Sequence, residues 1–127
     1  MRTSLCIALA LLLMTIGGGV FMAREIRRVS DRYVSASREL LSMTEHGEWQ
    51  RAAETAEAYL DTWRELMPRL QTIINHEDTD DVTLSLVQLE AAIRARDASA
   101  CGISCAELKE NAMHLYHRDA FTLANVL

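Results

Sequence analysis

Residues 3–23 contain no charged side chain, although 24% of the whole chain is Asp, Glu, Lys or Arg. As an α-helix with a rise of about 1.5 Å per residue, this run would be about 31 Å long, which matches the hydrocarbon core of a bilayer. It therefore predicts a transmembrane anchor over residues 1–23. The alternative is a signal-like segment, in which Gly17 and Gly19 suit a cleavage site that leaves Val20 as the new N-terminus. The length of the run favours the anchor.

Arginines flank the apolar run on both sides. Residues 24–32 carry four arginines against two acidic residues, whereas residues 33–127 carry eight basic against sixteen acidic side chains. We expect the four arginines, which we call the basic collar, to contact anionic lipid headgroups, and the acidic body to stand away from the membrane surface. The collar consists of Arg24, Arg27, Arg28 and Arg32.

The membrane orientation has two opposing indications. The collar favours the cytoplasm for the side that follows the run, because arginines concentrate on that side. The short basic start, with Arg2, instead resembles an export signal. We expect a single-pass protein of the cell membrane with most of the chain outside the cytoplasm. Within the run, Thr15, Gly19 and Ala23 recur every four residues and predict a surface of small side chains for packing another membrane helix.

Residues 24–127 predict helices throughout, because apolar side chains recur every seven residues in two interleaved series, as in a coiled coil. The run continues without a break into the first series, so one helix is expected to reach Glu45 and to end at Gly47. Polar residues 75–81 predict a turn in which Asp80 or Asp81 caps a helix from Val82. The series are Ile26, Tyr33, Leu40 with Val29, Ala36, Met43; Trp49, Ala56, Trp63, Leu70 with Ala53, Leu60, Met67, Ile74; Val82, Leu86, Leu89, Ile93; and Cys101, Cys105, Leu108, Ala112, Leu115.

These segments predict an all-α fold: an N-terminal transmembrane helix followed by an antiparallel bundle of about four helices over residues 24–127. Both tryptophans, Trp49 and Trp63, are expected to be largely buried. A last short piece, with Phe121, Leu123, Val126 and Leu127, is expected to close the bundle. Two alternatives remain: a pair of tetratricopeptide-like hairpins, and a dimer in which the first series, from Ile26 to Met43, pairs with a second copy.

Two groups of side chains resemble metal ligands. His76, Asp78 and Asp80 lie in the densest cluster of carboxylates and are weak candidates for a divalent cation, although the stretch lacks the spacing and the glycine of a calcium loop. Cys101 and Cys105 share a helix with His114 and His117, but the thiols and imidazoles fall on opposite faces at 100° per residue. A solvated turn and a set of core thiols are the favoured interpretations.

No catalytic motif is present in the sequence, and we expect neither an enzyme nor a cofactor. The chain has a formal net charge of -5, which disfavours binding to nucleic acid phosphates. One proline and five glycines leave little turn material for an all-β fold.

Short motifs are spread over nearly the whole chain, at Gly47, Trp49, Trp63, His76, Asp78, Asp80, Ser85, Leu86, Leu89, Leu108 and Asn125. Their order and spacing resemble a bacterial family of small proteins, the domain-of-unknown-function family 4363. The chain departs from the pattern of the family by Asn75 in place of aspartate, by Asp78 in place of glutamate, and by the presence of Pro68.

This resemblance implies a membrane-tethered helical protein with no assigned activity, encoded beside a small multi-pass membrane protein that is the first partner to test. The sequence therefore predicts a membrane-anchored accessory or protein-interaction module. The alternative is an extracytoplasmic sensing or divalent-metal-binding domain that uses the stretch from His76 to Asp81.

Overall fold

The computed structural model describes the backbone of residues 1–126 and the side chains of residues 1–117. Within this part, the chain forms four α-helices and no strand, which confirms the predicted all-α class. The helices are α1 (Arg2–Glu45), α2 (Trp49–Leu70), α3 (His76–Arg94) and α4 (Ala98–Val126). The boundary expected after residue 23 falls inside α1, which at about 1.5 Å per residue is about 66 Å long.

The helices pack as a closed ring, in which each contacts the next along the chain and α4 returns to α1. Two contacts fix the direction of α4 against α1. The Ser30 hydroxyl donates to the Ala112 carbonyl at 2.7 Å, and the Arg27 guanidinium lies 5.4 Å from the ring centroid of Tyr116. Moving along α1 from Arg27 to Ser30 corresponds to moving back along α4 from Tyr116 to Ala112. The two helices are therefore antiparallel, as expected for a bundle with short connections.

The core consists of the predicted seven-residue series, with a few exceptions at its edge. Trp63 is completely buried, and Trp49 is partly buried and packs against the edge of the core. Val29, Ala53 and Met67 are also only partly buried. The series from Ile26 to Met43 packs inside its own bundle, which disfavours its use as a dimer seam. The buried members are Ile26, Tyr33, Ala36, Leu40, Met43, Ala56, Leu60, Trp63, Leu70, Ile74, Val82, Leu86, Leu89, Ile93, Cys101, Cys105, Leu108, Ala112 and Leu115.

The connection between α2 and α3 differs from the sequence-based prediction. The helix α3 begins at His76 rather than Val82, because the Asn75 side chain accepts a hydrogen bond from the Glu77 amide at 3.3 Å and caps the helix. The predicted caps Asp80 and Asp81 therefore lie inside α3. Asparagine is as good a cap as aspartate, and the acidic residues that follow it suit the positive end of the helix dipole.

The two turns at the end of the bundle away from the apolar run, which we call the far end, have the same backbone hydrogen bonds. After α1, the Glu48 amide donates to the Met43 carbonyl at 2.9 Å, and Gly47 has a φ of 71°. After α3, the Asp97 amide donates to the Ala92 carbonyl at 3.1 Å, and Arg96 has a φ of 52°. Both are Schellman caps, which favour glycine at the left-handed position. Arg96 occupies that position at a cost in backbone strain.

Replacing Arg96 with glycine is expected to raise the free energy of unfolding by about 1 kcal/mol, because a left-handed conformation costs about that much for a residue with a Cβ atom. Urea unfolding of the full chain in detergent, followed by circular dichroism, measures the change. The matched control is Gly47→Ala, which places a Cβ in open space at the same kind of cap and should lower stability by a similar amount. A destabilised Arg96→Gly variant would show that the arginine side chain outweighs the strain.

The fourth helix is capped by Asp97, whose carboxylate accepts a hydrogen bond from the Ala100 amide at 3.0 Å. Its backbone continues as one helix to Val126, without the separate short piece that the sequence suggested. The side chains of that piece, which include Phe121, Leu123, Val126 and Leu127, lie outside the described part of the structure.

Candidate functional site

The apolar half of α1 extends beyond the bundle with its side chains exposed. This helix is long and apolar enough to cross a membrane, and its most apolar stretch has no buried residue. A membrane anchor and a signal sequence near the N-terminus both have this length and composition. The exposed large side chains of the run are Leu5, Ile7, Leu9, Leu11, Leu12, Leu13, Met14, Ile16, Val20, Phe21 and Met22.

The predicted small-residue surface lies on this exposed half of α1. Thr15, Gly19 and Ala23 follow one another at successive turns, and the Thr15 hydroxyl donates to the Leu11 carbonyl at 2.8 Å. This bond keeps the only hydroxyl of the surface satisfied within its own helix, which an apolar environment requires. A Cβ atom added at Gly19 or at Gly17 would meet nothing within 4 Å. Gly19 and Ala23 are partly buried, and among the described side chains none fills the space at Gly19.

The four arginines of the basic collar are exposed on the two helical turns that follow the run. The Arg28 guanidinium lies 3.0 Å from the Glu25 carboxylate, and that of Arg27 lies 4.0 Å from Asp31. Among the side chains that the structure describes, Arg24 and Arg32 form no ion pair. Surface pairs of this kind contribute little to stability. The collar is therefore available for negatively charged groups of the surroundings.

The structure does not bring the candidate metal ligands together. His76, Asp78 and Asp80 lie in the first turns of α3 rather than in a loop. At 100° per residue Asp78 lies about 160° around the helix from the other two, and it is buried while they are exposed. Among the described residues, no group of three or more His, Cys, Asp or Glu side chains could hold a metal ion. The prediction of a turn over residues 75–81 was wrong. Because these residues are helical, the candidate ligands lie on different faces of α3.

The thiols and imidazoles of α4 lie on opposite faces, as the helical spacing predicted. Cys101 and Cys105 are buried and unbridged, whereas His114 and His117 are exposed. Burial raises the pKa of the Cys101 thiol, and it raises the pKa of Cys105 to about 12, with smaller contributions from Cys101 and Glu45. Thiols with raised pKa values are poor nucleophiles and poor metal ligands at neutral pH. Both side chains act as small core residues.

The centre of the bundle contains an aromatic cluster of Tyr33, Tyr59 and Trp63. The rings of Tyr33 and Trp63 meet edge to face with centroids 5.1 Å apart, and the Tyr33 hydroxyl donates to the Tyr59 carbonyl at 2.9 Å. The indole of Trp63 donates to the Thr83 hydroxyl at 2.8 Å. The seven-residue spacing placed both large rings in the core, but it gave no sign of these hydrogen bonds. The Tyr59 hydroxyl donates to the Glu39 carboxylate at 2.7 Å, so each polar side-chain atom of the cluster has a partner within the bundle, as in a structural core.

A groove that the sequence did not indicate lies where the bundle meets the apolar run, at the end opposite the far end. It has a volume of about 330 Å³, and we call it the base groove. One wall comes from α1 and the other from the last turn of α2 and the turn that follows. Its lining includes Phe21, Met22, Val29, Leu66, Arg69 and Ile73.

The chain was compared with protein families, curated proteins and solved structures. No curated protein and no solved structure gives a significant match. The model of one family, described as a domain of unknown function (DUF4363), matches residues 20–126. The matched range covers the whole bundle and the end of the apolar run. The chain therefore belongs to the DUF4363 family.

Proposed function

We propose that this protein is a single-pass, membrane-anchored accessory module, which holds a helical bundle next to the membrane and binds another membrane protein. The observation that carries the proposal is the division of α1. Residues 1–18 are all exposed, and the second half of α1 is part of the bundle core. An exposed apolar surface of this size needs a lipid or protein environment.

The expected partner is a multi-pass membrane protein, which would pack against the surface formed by Thr15, Gly19 and Ala23. Small residues allow close approach of two helix backbones in a bilayer. The bulk of the chain is proposed to lie outside the cytoplasm. An accessory role fits a molecule whose described titratable groups form no catalytic or metal-binding cluster, and no observation favours the cation-binding alternative.

The anchor is tested by washing native membranes with high salt and then with alkaline carbonate. We expect the full chain to remain in the membrane fraction, because an apolar helix of this length is not released when surface charges are screened. Sequencing of the N-terminus accompanies the wash. Recovery in the soluble fraction with Val20 as the first residue would contradict the anchor and would support a cleaved signal segment.

The partner surface is tested by crosslinking in native membranes followed by affinity purification. Replacing Gly19 with leucine is expected to reduce recovery of the partner about tenfold, since a bulky side chain costs one to three kcal/mol in a close-packed contact. Gly17→Leu is the matched control, because it lies about 160° around the helix from Gly19 and also faces open space. Equal recovery with the two variants would exclude this surface.

A further inference from the structure

We propose that the base groove binds an anionic phospholipid, with an acyl chain against its apolar lining and the phosphate on Arg69. The inference rests on the proposed membrane anchor and adds a defined lipid site to it. The first support is the position of the groove along α1. Phe21 and Met22 belong to the uncharged run, whereas Glu25, one turn later, lies among the first charged side chains. The groove thus spans the boundary between acyl chains and headgroups.

The wall formed by α2 and the turn after it also presents apolar side chains at the level where the apolar run ends. Leu66 and Ile73 face the groove from α2 and the turn after it, and 39% of the Ile73 surface is exposed. Since this wall lies beside residues 21–25 of α1, the turn between α2 and α3 is held at the level where the apolar run ends. An exposed isoleucine at that level is suited to the upper part of the acyl layer.

The charges of the groove favour an anion. Two charged residues line it, Glu25 and Arg69. The Glu25 carboxylate is neutralised by the Arg28 guanidinium at 3.0 Å. Among the described side chains, Arg69 has no acidic partner, so its five N–H donors remain available for a phosphate group. The collar arginines add positive potential on the α1 side.

The groove, at about 330 Å³, lies at the lower end of the range for small-molecule sites, which suits a stretch of methylene groups.

Native mass spectrometry of the full chain, released from nanodiscs that contain equal amounts of phosphatidylglycerol and phosphatidylcholine, tests the site. We expect preferential retention of one phosphatidylglycerol molecule. Arg69→Gln should weaken that retention about fivefold, as expected for one arginine at an anionic surface. Ile73→Ser should weaken retention of both lipids. The matched control is Arg64→Gln, which removes an exposed charge of the same helix outside the groove and should leave retention unchanged.

Two outcomes would overturn the site. Equal retention of the two lipids would contradict the proposed contact between the phosphate and Arg69. Equal losses of retention in Arg69→Gln and Arg64→Gln would show that the lipid is attracted by the general surface charge and not by the groove. Flotation of the chain with phosphatidylcholine vesicles is measured first. A chain that does not float would contradict the membrane anchor itself, whereas a chain that floats without selective retention would contradict only the lipid site.

Discussion

Replacing Trp63 with alanine is expected to lower the free energy of unfolding by about 3–5 kcal/mol, the usual cost of removing a large aromatic side chain from a core. Trp63 is fully buried, packs edge to face on Tyr33 and donates its indole N–H to Thr83 at 2.8 Å. The variant therefore leaves a cavity and removes one of the hydrogen bonds of the Thr83 hydroxyl, which still donates to the Thr79 carbonyl at 3.0 Å. A loss of this size is a large fraction of the 5–15 kcal/mol that stabilises a typical domain.

Urea unfolding of the full chain in detergent micelles, followed by circular dichroism, measures this effect. Trp49→Ala is the matched control, because the same side chain is removed from a partly buried position at the far end of the bundle. We expect Trp49→Ala to lower the free energy of unfolding by less than half as much as Trp63→Ala. If both variants melted like the unaltered chain, the packing of α2 against α1 and α3 would be contradicted.

The second large effect is alkaline unfolding between about pH 9 and pH 12. Burial raises the pKa of Tyr33 from 10.0 to about 12, because the phenolate is poorly solvated in the core. Burial likewise raises the pKa of Cys105 from 9.0 to about 12. In each case the folded chain holds its proton more tightly than the unfolded chain. The stabilisation is complete below the ordinary pKa values and is lost as the pH rises towards 12.

At 1.36 kcal/mol per pKa unit, the loss by pH 12, where both groups are half ionised in the folded chain, is about 2 kcal/mol for Tyr33 and about 4 kcal/mol for Cys105. Melting temperatures measured from pH 7 to pH 12 should be flat below pH 9 and should then fall steeply. In Cys105→Ala the fall should be shallower, because the contribution of Cys105 is removed while those of Tyr33 and Cys101 remain. A melting temperature that does not change up to pH 12 in the unaltered chain would contradict the burial of both groups.

The helices and the core were largely predictable, because buried side chains recur at a regular spacing along each helix. The spacing of Tyr33, Trp63 and Leu108 by heptads on their helices is a local property, and each of these residues is fully buried. The aromatic hydrogen bonds were not predictable, since the Tyr33 hydroxyl reaches a carbonyl 26 residues away. The start of α3 was missed for a local reason: a run of acidic residues suits both a solvated turn and the first turns of a helix.

The base groove could not be read from the sequence for another reason. Its walls come from residues 21–29 and 66–73, which the chain brings together only because α2 runs back along α1. No seven-residue series contains Arg69, and Phe21 looks like any other member of the apolar run. A site of this kind depends on how far down α1 the second helix returns, and that depth is a property of the packed bundle.

The unbroken course of α1 from Arg2 to Glu45 couples the rotation of its two halves. One residue inserted between Ala23 and Ile26 would turn the apolar half by about 100° relative to the bundle and shift it by about 1.5 Å. Seven inserted residues would restore the direction to within about 20°, but would raise the bundle by about 10.5 Å. The face of α1 that binds a partner in the membrane therefore determines how the bundle is rotated about the membrane normal.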